Sequence, residues 1–161
     1  MLGWMRWDRR GAGRSPTRRR WLRSTRAVRR APPGVGDLAV DASALVDLLL
    51  GGDLGERIRA RLAGQVLHAP AHMDAECLSA LGRLHRAGSL SADDVSRALD
   101  MLVAAPITRH PIDALLAGAW GRRDNLRLAD ALYVEVADWL SVPLVTTDAR
   151  LRAAPHVEVV P

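Results

Sequence analysis

Short apolar runs alternate with helix-length amphipathic segments over residues 37–161, and this alternation constrains the fold more than any other feature. The runs fall at 37–40, 65–68, 106–110, 143–146 and 157–160. Helical patterns lie between them, at 42–50, 54–62, 70–87, 92–105, 111–123 and 128–140, with a turn of helix at 148–152. Gly51-Gly52, Gly64 and Gly88 stand where helices should stop, Pro70 stands where one can start, and Ser91-Ala92-Asp93-Asp94 has the pattern of a capping box. Strands separated by helices need crossover connections, which predicts an α/β fold whose parallel sheet is covered on both faces. In such open sheets ligands bind beyond the carboxyl ends of the strands.

Charge divides the chain in two. Residues 1–36 carry 11 Arg against the single acid Asp8, a balance of +10, whereas residues 37–161 carry 12 Arg against 17 acids, a balance of −5. The first stretch has no apolar period and ends in Pro32-Pro33-Gly34, so it reads as a disordered extension outside the fold, as a wrongly assigned start would produce. Its Arg-rich, acid-poor composition also overlaps that of an organellar transit peptide. As a functional segment it reads as a nucleic-acid arm, with Arg on phosphates and Trp4, Trp7 and Trp21 stacking on bases. No lysine occurs anywhere, which excludes a P-loop and Schiff-base chemistry. Apolar runs such as Leu48-Leu49-Leu50 are far too short to cross a bilayer, so no membrane span is expected. The single Cys77 excludes an internal disulfide and a Cys-rich zinc site and fits a reducing, cytoplasmic setting.

Against that scaffold the positions of four acids stand out. Asp41 follows the first strand and Asp148 follows the strand that ends at Thr146. Glu76 lies in the first turns of the helix after the second strand, and Asp130 lies in the first turn of the helix over 128–140. Each alone has a duller reading: a helix cap for Asp41, a solvated charge for Glu76, and acids favoured by the helix dipole for Asp130 and Asp148. Together they would meet at one edge of the sheet. Two bare charges about 4 Å apart repel by about 4 kcal/mol at an effective dielectric of about 20, so four need a cation or shared protons. Oxygen ligands without His or Cys point to Mg²⁺ or Mn²⁺, ions suited to phosphodiester hydrolysis.

Four segments carry a family resemblance. They are Val40-Asp41-Ala42-Ser43-Ala44-Leu45; Ala69-Pro70 with Glu76 and Ala80-Leu81; Leu128-Ala129-Asp130-Ala131-Leu132-Tyr133; and Val142-Pro143-Leu144-Val145-Thr146-Thr147-Asp148-Ala149-Arg150-Leu151. In this order and spacing, residues 37–161 resemble the PIN domain and, within it, the VapC toxins of bacterial toxin–antitoxin pairs. The resemblance implies a three-layer α/β/α fold with a central, mostly parallel sheet. It implies a metal-dependent endoribonuclease with Asp41, Glu76, Asp130 and Asp148 as its catalytic acids. Asp41, Asp130 and Asp148 would then hold Mg²⁺ (or Mn²⁺), and Glu76 would hold a water or take its proton. The implied partners are an RNA substrate, a cognate antitoxin that covers the acidic groove, and a second copy in a homodimer. The Arg-rich lead is not part of the family pattern.

Other features are weaker. Ser43 and Thr146 can hydrogen-bond the carboxylates or the phosphate. Arg122, Arg123, Arg127, Arg150 and Arg152 flank the acids and can form a basic rim, or stand as ordinary surface arginines. His68, His72 and Glu76 have zinc-like spacing, but His68 falls at a strand end and no third ligand follows. Cys77 reads as buried packing, and Trp120 and Trp139 as core or dimer contacts. The competing function class is a non-enzymatic nucleic-acid-binding protein that works through the Arg-rich arm and tolerates loss of the acids.

Overall fold

A computed structural model describes residues 36–161; apart from Gly36, the extension expected over 1–36 lies outside the described residues. The elements run β1 (Asp37–Val40), α1 (Ala42–Leu50), α2 (Gly52–Leu62), β2 (Val66–Pro70), α3 (Met73–Arg86), α4 (Ala92–Ala104), β3 (Ile107–His110), α5 (Leu116–Gly121), α6 (Leu128–Leu140), β4 (Leu144–Thr146), a 3-10 turn (Ala149–Ala153) and β5 (Val157–Val159). The strands form one sheet in the order β3-β2-β1-β4-β5, and all four pairings are parallel. The chain thus winds outward from β1 to β3, then returns to the centre at β4. Helices α1 to α4 pack on one another, while α6 packs with α5 and against β1, β2 and β4. Right-handed crossovers put the two groups on opposite faces, giving the three layers.

Burial follows the layering. Val40, Leu144 and Val145 in the central strands are wholly buried, as are Val134 and Val136 in α6. Six consecutive or near-consecutive residues of α6, from Ala131 to Ala137, are buried, as expected of a helix covered on most sides. Between α1 and α2, Gly51 and Gly52 have positive φ (76° and 72°), a conformation that favours glycine, and they turn the chain back on itself. At Gly55 a Cβ would stand 2.8 Å from the Asp47 carbonyl oxygen, so the two helices approach closely there. Cys77 is buried against Met73, as packing predicts. The Ser91–Asp94 capping box forms with both of its bonds.

Two boundaries differ from expectation. Pro70 ends β2 rather than starting a helix, and α3 begins at Met73. The Ala71 N–H bonds the His110 carbonyl in β3 at 2.8 Å, so by alternation the Pro70 nitrogen faces the other way, beyond the last residue of β1, where no ladder bond is lost. The helix expected from 111 begins only at Leu116. Asp113 Oδ1 accepts the Ala114 N–H at 3.0 Å, a local bond that competes with helix initiation.

Replacing the fully buried Leu144 by alanine should lower unfolding stability by about 2–5 kcal/mol in urea titration, whereas Val103→Ala, at a position 81% exposed, should change it by less than about 0.5 kcal/mol.

Candidate active site

Asp41 leaves the sheet on its last ladder bond, from its N–H to the Val145 carbonyl of β4 at 2.9 Å. It stands at the N-cap position of α1, but its carboxylate does not cap the helix. Instead the Ser43 hydroxyl (2.6 Å) and the Thr146 hydroxyl (2.7 Å) both donate to Oδ2. Each hydroxyl also accepts a backbone N–H: Thr147 N–H reaches Ser43 Oγ at 3.2 Å, and Asp148 N–H reaches Thr146 Oγ1 at 3.0 Å. Their single protons are therefore committed to Asp41, and the 3.0 Å approach of the two hydroxyl oxygens is a contact of two acceptors around one carboxylate. Thr146 is wholly buried and Asp41 nearly so.

All four predicted acids line one cleft of about 720 Å³, together with Asp47 and Arg150. The cleft lies at the carboxyl ends of β1 and β4, where the strand order reverses. Glu76, on α3, accepts the Tyr133 phenol of α6 at 2.6 Å on Oε2. His72 Nε2 lies 3.5 Å from the same oxygen, and its ring packs on Tyr133 with centroids 4.9 Å apart. Burial and the bond to Glu76 push the Tyr133 hydroxyl far up, so it remains a donor. Asp148 starts the 3-10 turn and is gripped by Arg150, whose Nε lies 2.9 Å from both carboxylate oxygens and whose Nη2 also contacts Oδ2.

The electrostatics show that these acids sense one another. Burial pushes Asp41 up against the opposing bonds of Ser43 and Thr146, and the charge of Glu76 adds to the rise. Burial also raises Asp130, with Asp41, Asp148 and Glu76 adding and Arg150 opposing. Asp148 is held down, first by its bonds from Arg150. The donors are oxygens throughout, which fits a hard divalent cation held by Asp41, Asp130 and Asp148 better than zinc. Among the described residues no three Asp, Glu, His or Cys side chains are arranged to enclose an ion as they stand. His68 does not line the cleft; its ring nitrogens lie 3.1 Å from His110 and 3.4 Å from Asp37.

The basic rim divides. Arg122 is engaged by Asp138 and Glu135 of α6, so it does not serve the cleft. Arg123 lies over the Trp120 ring, 5.2 Å from its centroid. Trp120 is 59% exposed and so is no core residue, while Trp139 packs on the core edge-on to His110. Arg127 is close enough to favour the ionised Asp148. Three partners went unassigned at the level of sequence. Tyr133 lies one helical turn after Asp130 and His72 one turn before Glu76, spacings that put each on the face of its neighbour. Asp47, one turn after Ser43, accepts the Thr147 hydroxyl at 2.7 Å.

A carboxyl raised in the folded state opposes folding when ionised. Asp41→Asn should therefore melt above the wild type in chelator at neutral pH, by about 4 °C for about 1 kcal/mol. The gap should shrink as the pH falls through the raised value of Asp41, because the wild-type carboxyl then protonates; thermal melts across pH check this.

Comparison with known proteins places this geometry. The family model of the PIN domain matches residues 38–157. Ribonuclease VapC3 of Mycobacterium tuberculosis is 55% identical over 130 residues, which cover 80% of this chain and 93% of that protein. The crystal structure of PAE2754 from Pyrobaculum aerophilum superposes with a TM-score of 0.57 at 26% identity, covering 76% of this chain and 83% of that one. A toxin–antitoxin complex from Klebsiella pneumoniae shares the fold, with a TM-score of 0.56 at 16% identity over 77% of this chain and 98% of that one. With its sheet order, its acidic cleft and these relatives agreeing, the chain belongs to the PIN-domain family, in its VapC-type branch.

Proposed function

We propose that the protein is a metal-dependent endoribonuclease, the toxin of a toxin–antitoxin pair, which cuts RNA phosphodiester bonds in the cytoplasm. The observation that carries this reading is the meeting of Asp41, Glu76, Asp130 and Asp148 in one cleft at the strand-order reversal. The ribonuclease name of its VapC relatives supports RNA as the substrate. Asp41, Asp130 and Asp148 would hold Mg²⁺ or Mn²⁺, Asp41 through Oδ1, since Oδ2 is taken by two hydroxyls. A bound divalent cation supplies a Lewis acid that acidifies a water and offsets phosphate charge.

The chain's own residues do the rest. Glu76 presents Oε1 to the attacking water and takes its proton, while Tyr133 fixes the other oxygen. Ser43 and Thr146 keep Asp41 in one rotamer. Arg127, near enough to act on Asp148, gives the acidic cleft a local cationic charge for RNA. A cognate antitoxin covering the cleft and a homodimeric state belong to the same reading. No helix among the described residues is long and apolar enough to cross a membrane. The competing reading, a binding protein working through the Arg-rich arm, rests on residues outside those described, and nothing in the fold favours it.

The test is cleavage of total cellular RNA by the whole chain with Mg²⁺, with Mn²⁺ and with chelator. Discrete fragments should appear with metal and vanish with chelator. Asp41→Asn and Asp130→Asn should each lower the cleavage rate by about 10³-fold or more. Cleavage that persists in chelator, or in either variant, would sink the proposal. Thr146→Val, which removes only a hydroxyl beside Asp41, should cost about 10–100-fold, and Thr146→Ser should restore most of it.

A further inference from the structure

Arg150 occupies the oxygens that a cation would need. Its Nε lies 2.9 Å from both Oδ1 and Oδ2 of Asp148, its Nη2 contacts Oδ2, and its backbone N–H bonds Oδ1 at 2.9 Å. Asp148 is mostly covered, with a side chain 18% exposed, whereas the arginine side chain is 62% exposed and lines the cleft. A guanidinium and a divalent cation are alike in sign, so they repel when both are held on the two oxygens of one carboxylate, and each weakens the hold of the other. The same fork that fits a carboxylate fits a phosphate, and its exposed stem leaves it free to turn. The acidic balance of residues 37–161 makes any cation at the cleft valuable for drawing in RNA.

We propose that Arg150 and the divalent cation hold Asp148 by turns: Arg150 neutralises the cleft while metal is absent, and metal entry releases its guanidinium to grip an RNA phosphate. This rests on the metal-dependent reading above and adds a residue that couples metal loading to substrate binding.

Mn²⁺ binding to the whole chain, without RNA, separates this from a fixed structural clamp. Arg150→Ala should bind Mn²⁺ about 5–10-fold more tightly than the wild type, with Arg150→Lys between them. Arg152→Ala, which removes an equal charge two residues away, should stay within about twofold of the wild type. A clamp that merely positions Asp148 gives the opposite sign, weaker Mn²⁺ binding in Arg150→Ala. That result, or an unchanged affinity, or an equal gain in Arg152→Ala, overturns the proposal. Binding of a fluorescent oligouridylate, in Mn²⁺ and a Glu76→Gln background, tests the second half. Adding Arg150→Ala should weaken it about fivefold or more, and no change would overturn the phosphate role. A wild type without saturable Mn²⁺ binding would sink the metal reading itself, whereas Mn²⁺ binding abolished by Asp41→Asn but not tightened by Arg150→Ala would sink the Arg150 step alone.

Discussion

Strands β1 and β4 lie side by side although Asp41 and Thr146, which close their ends, are 105 positions apart in the chain. The register Val40 against Val145 sets Asp41 and Thr146 next to one another, and the Asp41 carboxylate draws the Thr146 and Ser43 hydroxyls onto one oxygen. From that point the rest of the cleft follows. Thr146 holds the Asp148 amide, Ser43 holds that of Thr147, and the start of α6 brings Asp130 into the same cleft. A shift of one residue between β1 and β4 would turn each side chain to the other face and dissolve the arrangement.

The cleft is electrostatically expensive, and the chain offsets this unevenly. Asp41 and Asp130 are raised by burial and by their neighbours, so ionising them opposes the fold. Hydroxyls offset part of this at Asp41; no described side chain does so for Asp130 by a hydrogen bond. Asp148 runs the other way, because Arg150 holds its charge in place. A domain built only for stability would place neutral groups at these ends of strands. Keeping raised acids there is the pattern of a site whose stability is traded for binding.

Much of this was legible in the residues. The strand-to-helix alternation gave the parallel sheet, and the positions of the acids just past strands or in first helical turns placed them at one edge. Pro70 was misread because the same lost N–H is harmless at a helix start and at a strand end beyond its neighbour, and only the pairing with His110 decides between them. The helix from 111 was overextended because the Asp113 side chain competes locally for an amide. The roles of Tyr133, His72 and Arg150 were hidden for another reason. Tyr133 meets Glu76 from another helix, while His72 and Arg150 lie within one turn of their partners, and in each case the contact depends on a rotamer that periodicity does not carry.

The site residues are spread along the chain, from Asp41 to Arg150, with the β5 edge closing on Thr146 through the Val160 N–H. No segment shorter than nearly the whole domain holds them together. During synthesis the nascent chain therefore has no assembled cleft until its last strand has left the ribosome and paired. Sheets made of distant parallel pairings also form slowly. A cell making this protein therefore passes through an interval in which the polypeptide exists but its assembled cleft does not.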